Sequence, residues 1–207
     1  MNVVEPSYEI LRLPQAEDLR FLERCARTCY KSEDKMTDES YRRIMDLIMT
    51  SKHESVIEHI GATVKFIVSR GFSHELVRHR VASFSQESTR YVNYGKKTAG
   101  ITVVRPSVDN MLPHQYAKWL RAMENAEKSY LALLALEVKP QIARGVLPID
   151  LKTEIVMTAN IREWRHVFKL RCAKSAHPQM QEVMRPLLQE FAQAIPIIFD
   201  DLVQEFL

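Results

Sequence analysis

The sequence predicts an α+β fold. Two stretches alternate as strands, residues 61–69 and 151–160, and they are set among long segments with helical periodicity. The elements follow no regular strand–helix–strand order, so a mixed or antiparallel sheet packed against long helices is expected. No repeat, low-complexity tract or Gly/Ser linker interrupts the 207 residues, and a single domain spanning 1–207 is expected.

Residues 2–12 read as extended. A helix near 15–30 follows, in which Leu19, Leu22, Cys25, Ala26 and Cys29 share one apolar face, so both cysteines read as core filler. A second helix near 38–51 is predicted to be capped by Thr37, with Asp38 and Glu39 in its first turn. Its apolar stripe is Tyr41, Ile44, Met45 and Ile48. The 61–69 strand places Ala62, Val64, Phe66 and Val68 on one side. A short helical turn after Gly71 leads into a Ser-rich polar stretch that ends near Tyr94.

The longest helix spans 113–138, with Tyr116, Trp119, Leu120, Met123, Tyr130, Leu133 and Leu134 facing inward. Pro140 opens a short helix that Gly145 ends. The second strand directs Leu151, Thr153, Ile155, Met157 and Ala159 to one face. Helices over 161–172 and 178–205 complete the chain, interrupted at Pro186 and Pro196.

Composition narrows the function. No apolar run approaches the ~20 residues that cross a bilayer, and Met1 to Leu11 lacks a signal-peptide pattern, so no membrane role and a cytoplasmic location are expected. The net charge of +3 is too mild to imply nucleic-acid binding by itself. Three cysteines argue against a disulfide framework, and Cys25 and Cys29 lack the second pair that a zinc site needs. His53 and His59 stand six apart, where zincins place their histidines four apart. No metal is expected. The five glycines give no dinucleotide fingerprint, and Gly95 to Gly100 is followed by Ile101-Thr102 where a P-loop needs Lys and Ser/Thr. Any phosphate must therefore be held by side chains, chiefly arginine.

The densest polar segment runs from Arg78 to Tyr91, with three arginines, four hydroxyls before the tyrosine and Gln86. Guanidinium forks bind phosphate, and hydroxyls and amides read a base edge. A solvated loop has the same composition. In the 161–172 helix, Trp164, Phe168 and Arg171 share a face, where an arginine needs a partner: a core carboxylate or a ligand. Arg162, Arg165, His166 and Lys169 form a basic stripe, a pattern usual for solvated faces.

These blocks resemble the flavin-dependent thymidylate synthases. Arg78-His79-Arg80, seven residues and then Ser88 match that family's signature, and Thr89-Arg90-Tyr91 continue it. His53-Glu54-Ser55 through Glu58-His59, Ala143-Arg144 with Leu147-Pro148, and Asn160-Ile161-Arg162 through Leu170-Arg171 resemble three further family blocks in order. The likeness covers roughly residues 20–195.

The resemblance implies reductive methylation of dUMP to dTMP, with FAD as bound cofactor and NADPH and methylenetetrahydrofolate as co-substrates. It assigns Ser55, Arg78, His79 and Arg80 to FAD, with Asn160, Arg162 and His166 in later flavin positions and His53 beside the flavin ring. Gln86, Glu87, Ser88, Thr89 and Arg90 would lie along dUMP, with Arg144 and Arg171; Arg78 and Gln86 border both ligands. Glu75 would reach the nucleotide from a helix. Arg171 would face the uracil and favour its N3-ionised form, the catalytic role. Arg165 and Lys169 are left on the exposed stripe. Ser85-Gln86 stands where Asn-Glu is commoner, Glu75 where Gln is, and His166 where Asn is. The family also implies a homotetramer with shared active sites. Two other readings fit the same residues. One is a flavin reductase without methyl transfer. The other is a nucleic-acid module with Arg78, Arg80, Arg90, Lys96 and Lys97 as a phosphate track and Phe84, Tyr91 and Tyr94 as stacking rings.

Overall fold

Both alternating stretches are strands. In the computed structural model, which describes residues 1–97, 100–107 and 111–207 and only the backbone of Lys96 and Lys97, β1 is Asn2–Val4, β2 Ser7–Arg12, β3 Gly61–Ser69, β4 Ala82–Gln86, β5 Thr102–Val104 and β6 Lys152–Asn160. Ala62, Val64, Phe66 and Val68 of β3 are buried, as are Thr153, Ile155, Met157 and Ala159 of β6. Strand order in the four-stranded sheet is β2-β3-β6-β4. A separate parallel pair sets Asn2 of β1 opposite Thr102 of β5, and an antiparallel bridge joins Val103 to Leu151.

The longer helices are α1 (Ala16–Thr28), α2 (Ser40–Thr50), α5 (Pro113–Ala135), α7 (Ile161–Arg171), α8 (Pro178–Ala194) and α9 (Pro196–Phe206). Shorter ones are α3 (Arg70–Leu76), α4 (Tyr94–Lys97) and α6 (Pro140–Ala143), with 3-10 turns at Val56–His59 and Arg144–Val146 among others. The class is α+β with mixed sheets, as expected.

The chain divides into two compact units. The first comprises Met1–Ser7, Phe66–Arg78 and Phe84–Val156. Its core is Tyr94, Ile101, Val103, Tyr130, Ala143 and Leu151, flanked by half-buried Trp119, Met123, Leu133 and Leu134. The Trp119 indole donates to Asp150 Oδ2 at 2.8 Å, which satisfies the one polar atom of that ring. The second unit comprises Tyr8–Lys65, His79–Ser83 and Met157–Leu207. Trp164, Phe168, Phe191 and Phe199 form its aromatic centre, with ring centroids 5.1–5.8 Å apart. Trp164 Nε1 donates to the Ala62 carbonyl at 3.1 Å and so fixes α7 on β3.

Several local expectations are corrected. α2 starts after Glu39, not Thr37, because Ser40 Oγ accepts from Thr37 N while donating to the buried Glu23 at 2.6 Å. Cys29 is exposed, because α1 ends at Thr28 and the residue falls on its cap; Cys25 is half-buried. α5 stops at Ala135, not at 138. Glu137 turns left-handed at φ 61°, and the amides of Glu137 and Val138 bond back to the carbonyls of Leu134 and Leu133, which closes the helix. Of the seven inward residues assigned to α5, Tyr130 alone is fully buried. α8 runs through Pro186, held by buried Val183, Met184, Leu187 and Leu188 around it, whereas Pro196 does begin a new helix. The polar stretch after α3 contains strand β4, with Ala82, Phe84 and Gln86 half-buried on alternate positions.

Candidate active site

In the second unit, α7 organises a polar cleft of about 390 Å³. Asn160 caps the helix: its Oδ1 accepts from Glu163 N at 2.8 Å, which leaves the amide NH2 as a donor. The first three turns then bring Arg162, Glu163, Arg165, His166 and Lys169 to the cleft, and Glu54, Glu58 and Val81 complete its wall. Thus Asn160, Arg162 and His166, expected together, are together. Arg162 is already engaged, with Glu58 Oε1 at 2.5 Å and Glu54 Oε2 at 3.7 Å. The acidic residues of the 54–58 segment are therefore counter-charges for α7.

His79 contacts two of these lining residues and is 4% exposed. Its Nε2 accepts from Arg171 Nε at 3.2 Å, its Nδ1 lies 3.2 Å from Glu163 Oε1, and its ring meets that of His166 edge-on at 5.5 Å. Burial, with Arg171 and His166 adding repulsion, pushes the imidazole from its ordinary 6.5 down to about 4. The ring is neutral near pH 7, so its contact with Glu163 is a hydrogen bond and not an ion pair. Burial also raises the Glu163 carboxyl, against the pull of His166. Donor atoms of His79, Glu163 and His166 lie within 4.8 Å of one another. A guanidinium bonded to the same ring opposes a further cation there.

Arg165 is corrected from an exposed residue to a buried one, 3% exposed. It pairs with Asp201 through NH1 and NH2 at 2.8 and 2.6 Å, also contacts the Ile198 carbonyl, and approaches Glu54 Oε1 at 3.6 Å. The sequence pattern failed here because α9 covers a face that reads as solvated. Lys169 is exposed as expected. His53 and Ser55 line a different groove of the same unit, about 400 Å³, with Arg27, Tyr30, Leu47 and Val56. Arg80 is exposed.

The first unit holds the remaining predicted residues. Gln86 Nε2 donates to Ser73 Oγ at 2.8 Å and Thr153 Oγ1 at 3.2 Å, which uses its NH2 and presents its carbonyl as the remaining acceptor. Glu87 accepts from Tyr94 OH at 2.9 Å and pairs with Lys152 at 3.1 Å. Arg144 NH1 donates to Thr89 Oγ1 at 3.1 Å, bringing two predicted nucleotide residues together from 55 positions apart. Ser88 Oγ accepts from Arg90 N at 3.3 Å and so shapes the turn, while the Arg90 guanidinium lies 5.4 Å from the Tyr91 ring centroid. Glu75 is half-buried and Arg78 exposed. The nucleic-acid alternative loses a stacking ring, since Tyr94 is 3% exposed and bonded to Glu87. Its Lys96 and Lys97 side chains lie outside the described residues.

A model of the thymidylate synthase complementing protein family, Thy1, matches residues 13–197. The chain belongs to this family. Among similar proteins, the flavin-dependent thymidylate synthase of Pyrococcus abyssi is 34% identical over 79% of this chain and 67% of its own length. That of Geobacter sulfurreducens is 34% identical over 85% and 78%. Two crystal structures share the fold: the UMP/dUMP methylase PolB from Streptomyces cacaoi bound with 5-Br dUMP, and Thymidylate Synthase X from Helicobacter pylori with FAD and dUMP. The first has TM-score 0.83 and 24% identity over 100% of this chain and 98% of that one; the second has 0.75 and 22% over 96% and 99%.

Within this Thy1 family member, Glu163 lines the cleft and Lys152 pairs with Glu87, and the sequence singled out neither. Glu163 carried one signal, an acid three positions after a capping Asn, but that spacing announces a helix start and not a partner for His79. Nothing in the sequence pairs Lys152 with Glu87.

Proposed function

We propose that the chain is a flavin-dependent thymidylate synthase. It methylates dUMP to dTMP with FAD as bound cofactor, methylenetetrahydrofolate as carbon donor and NADPH as reductant. The observation that supports this most is the 3.2 Å bond between His79 and Arg171, which joins the arginine-triplet motif to the last family block across 92 positions. The name shared by the relatives supports the same activity.

The donor set suits FAD. Asn160, Arg162, His166 and Lys169 line one cleft, and the exposed Arg80 adds a guanidinium. With no glycine-rich loop, these side chains would hold the diphosphate, and Arg162 would exchange Glu58 for it. His53 would border the flavin ring, and Ser55, Arg78 and His79 complete the FAD set. Bound FAD supplies the hydride equivalents drawn from NADPH.

The chain's own part is binding, orientation and charge. Ser88, Thr89, Arg90 and Arg144 would bind the dUMP phosphate and sugar, while Gln86 offers a carbonyl to the nucleotide. Glu87, spent on Lys152 and Tyr94, would hold that segment in shape. Glu75 would border the nucleotide. Arg171 would stabilise the N3-ionised uracil edge, a fixed cation placed where negative charge develops. Catalysis by the Cys172 thiolate is disfavoured, because burial pushes that thiol up to about 12. A homotetramer with shared active sites, a single functional domain over 1–207 and a cytoplasmic location belong to the same proposal. No helix among the described residues is long and apolar enough to cross a membrane.

A fluorescence titration of FAD at micromolar protein tests the cofactor assignment. Quenching that saturates near one FAD per chain is expected; no binding at that concentration overturns the proposal.

A further inference from the structure

We propose that Glu163 and His79 form a tautomer lock that positions Arg171, and this rests on the site role proposed above for Arg171. The Arg171 guanidinium is always protonated. Arg171 Nε must donate, so His79 Nε2 must accept and carries no hydrogen. A neutral imidazole has one ring proton, which therefore sits on Nδ1 and donates to Glu163 Oε1 at 3.2 Å.

Glu163 is well placed to enforce this choice. Its amide is tied to Asn160 Oδ1 at 2.8 Å, so its backbone is fixed at the start of α7, and its side chain is 11% exposed. The His79 side chain is 2% exposed, so water gives little help to an unpaired ring nitrogen. Without an acceptor at Nδ1, the ring keeps its bond to Arg171 only by leaving a buried N–H unpaired, and moving the proton to Nε2 relieves that at the expense of the guanidinium. There it would face the Arg171 Nε–H donor to donor and displace the guanidinium. Holding Nε fixes the plane of the fork whose two terminal nitrogens offer bidentate recognition. Glu163 and His79 are thus positioning residues, acting on the substrate through Arg171.

The test is magic-angle-spinning ¹⁵N NMR of histidine-labelled holoprotein, with His79 assigned by loss of its signals in His79→Asn. It is run alongside steady-state dTMP formation. Wild type and Glu163→Gln, whose amide oxygen still accepts, should both show the Nδ1–H tautomer and turnover within a few-fold of each other. Glu163→Leu should show Nε2–H or a mixture, and its kcat should fall on the order of tenfold or more with FAD still bound. An Nε2–H or doubly protonated His79 in wild type overturns the lock. So does Glu163→Leu with an unchanged tautomer and kcat, even if its melting temperature drops. Should Glu163→Leu not fold, Glu163→Met replaces it, with the same tautomer change expected and an unchanged tautomer and kcat again overturning the lock. Should wild type make no dTMP, the proposed activity fails, while the tautomer comparison still decides the lock.

Discussion

Arg171 donates through its Nε to the buried His79. Lysine at this position keeps the charge and much of the stem, so packing near Trp164 and Phe168 should survive, but it has no Nε–H to meet His79. Arg171→Lys is expected to keep the fold and FAD while losing about 2–4 kcal/mol of transition-state stabilisation. Steady-state kinetics beside a thermal melt checks this, and near-normal turnover with a lowered melting temperature would make the residue structural instead. His79 also predicts a pH effect. Its folded value lies near 4 and its ordinary value at 6.5, so between these the unfolded chain binds a proton that the folded chain refuses. Its contribution is present in full above about pH 7 and is lost as pH falls from 6.5 to 4, by no more than ~3 kcal/mol. The raised Glu163 carboxyl works the other way, binding a proton more readily when folded, and offsets part of the loss at the acid end. Urea midpoints from pH 4 to 7 should fall more steeply in wild type than in His79→Gln; parallel curves would show that another group sets the acid limb.

Among the elements, β3, β6 and α7 were the most legible, because each buries an unbroken periodic face. β4 was hidden by its composition: Ala-Ser-Phe-Ser-Gln has little β-branched character, and hydroxyls read as a loop. Arg165 shows the limit in the opposite sense. Its burial depends on α9, 36 positions away, and helical periodicity carries no record of a partner at that distance. The candidate site divides along the same line. Its residue types could be read from motif spacing, whereas the bonds of Glu163, Lys152 and Asp201 arise only on folding. The Arg165–Asp201 pair ties α9 to α7, with Arg165 buried and Asp201 exposed. Asp201→Ala should therefore destabilise the protein by about 1–3 kcal/mol, discounted from a fully buried pair by the exposure of the carboxylate. Arg165→Met, which removes the buried charge and keeps the volume, should cost less. Chemical denaturation compares the two, and an Asp201→Ala variant as stable as wild type would mean that the pair contributes nothing.

For the whole molecule, α5 and the turns after it leave Leu131, Leu136, Ile142, Val146 and Ile149 exposed. Exposed apolar side chains at five positions between 131 and 149 suit a surface covered by another chain. A 24.1 kDa chain has little surface with which to enclose FAD, dUMP and a folate, so the proposed homotetramer should weigh about four chains by light scattering, and a fully active monomer would contradict it. The proposed activity is the formation of dTMP. Purified protein supplied with FAD, NADPH, dUMP and methylenetetrahydrofolate, followed by chromatography of the nucleotides, measures it directly. dTMP should accumulate only when all four are present, with NADPH consumed in step. NADPH oxidation that continues unchanged without dUMP and yields no dTMP would contradict the account and leave a flavin reductase in its place.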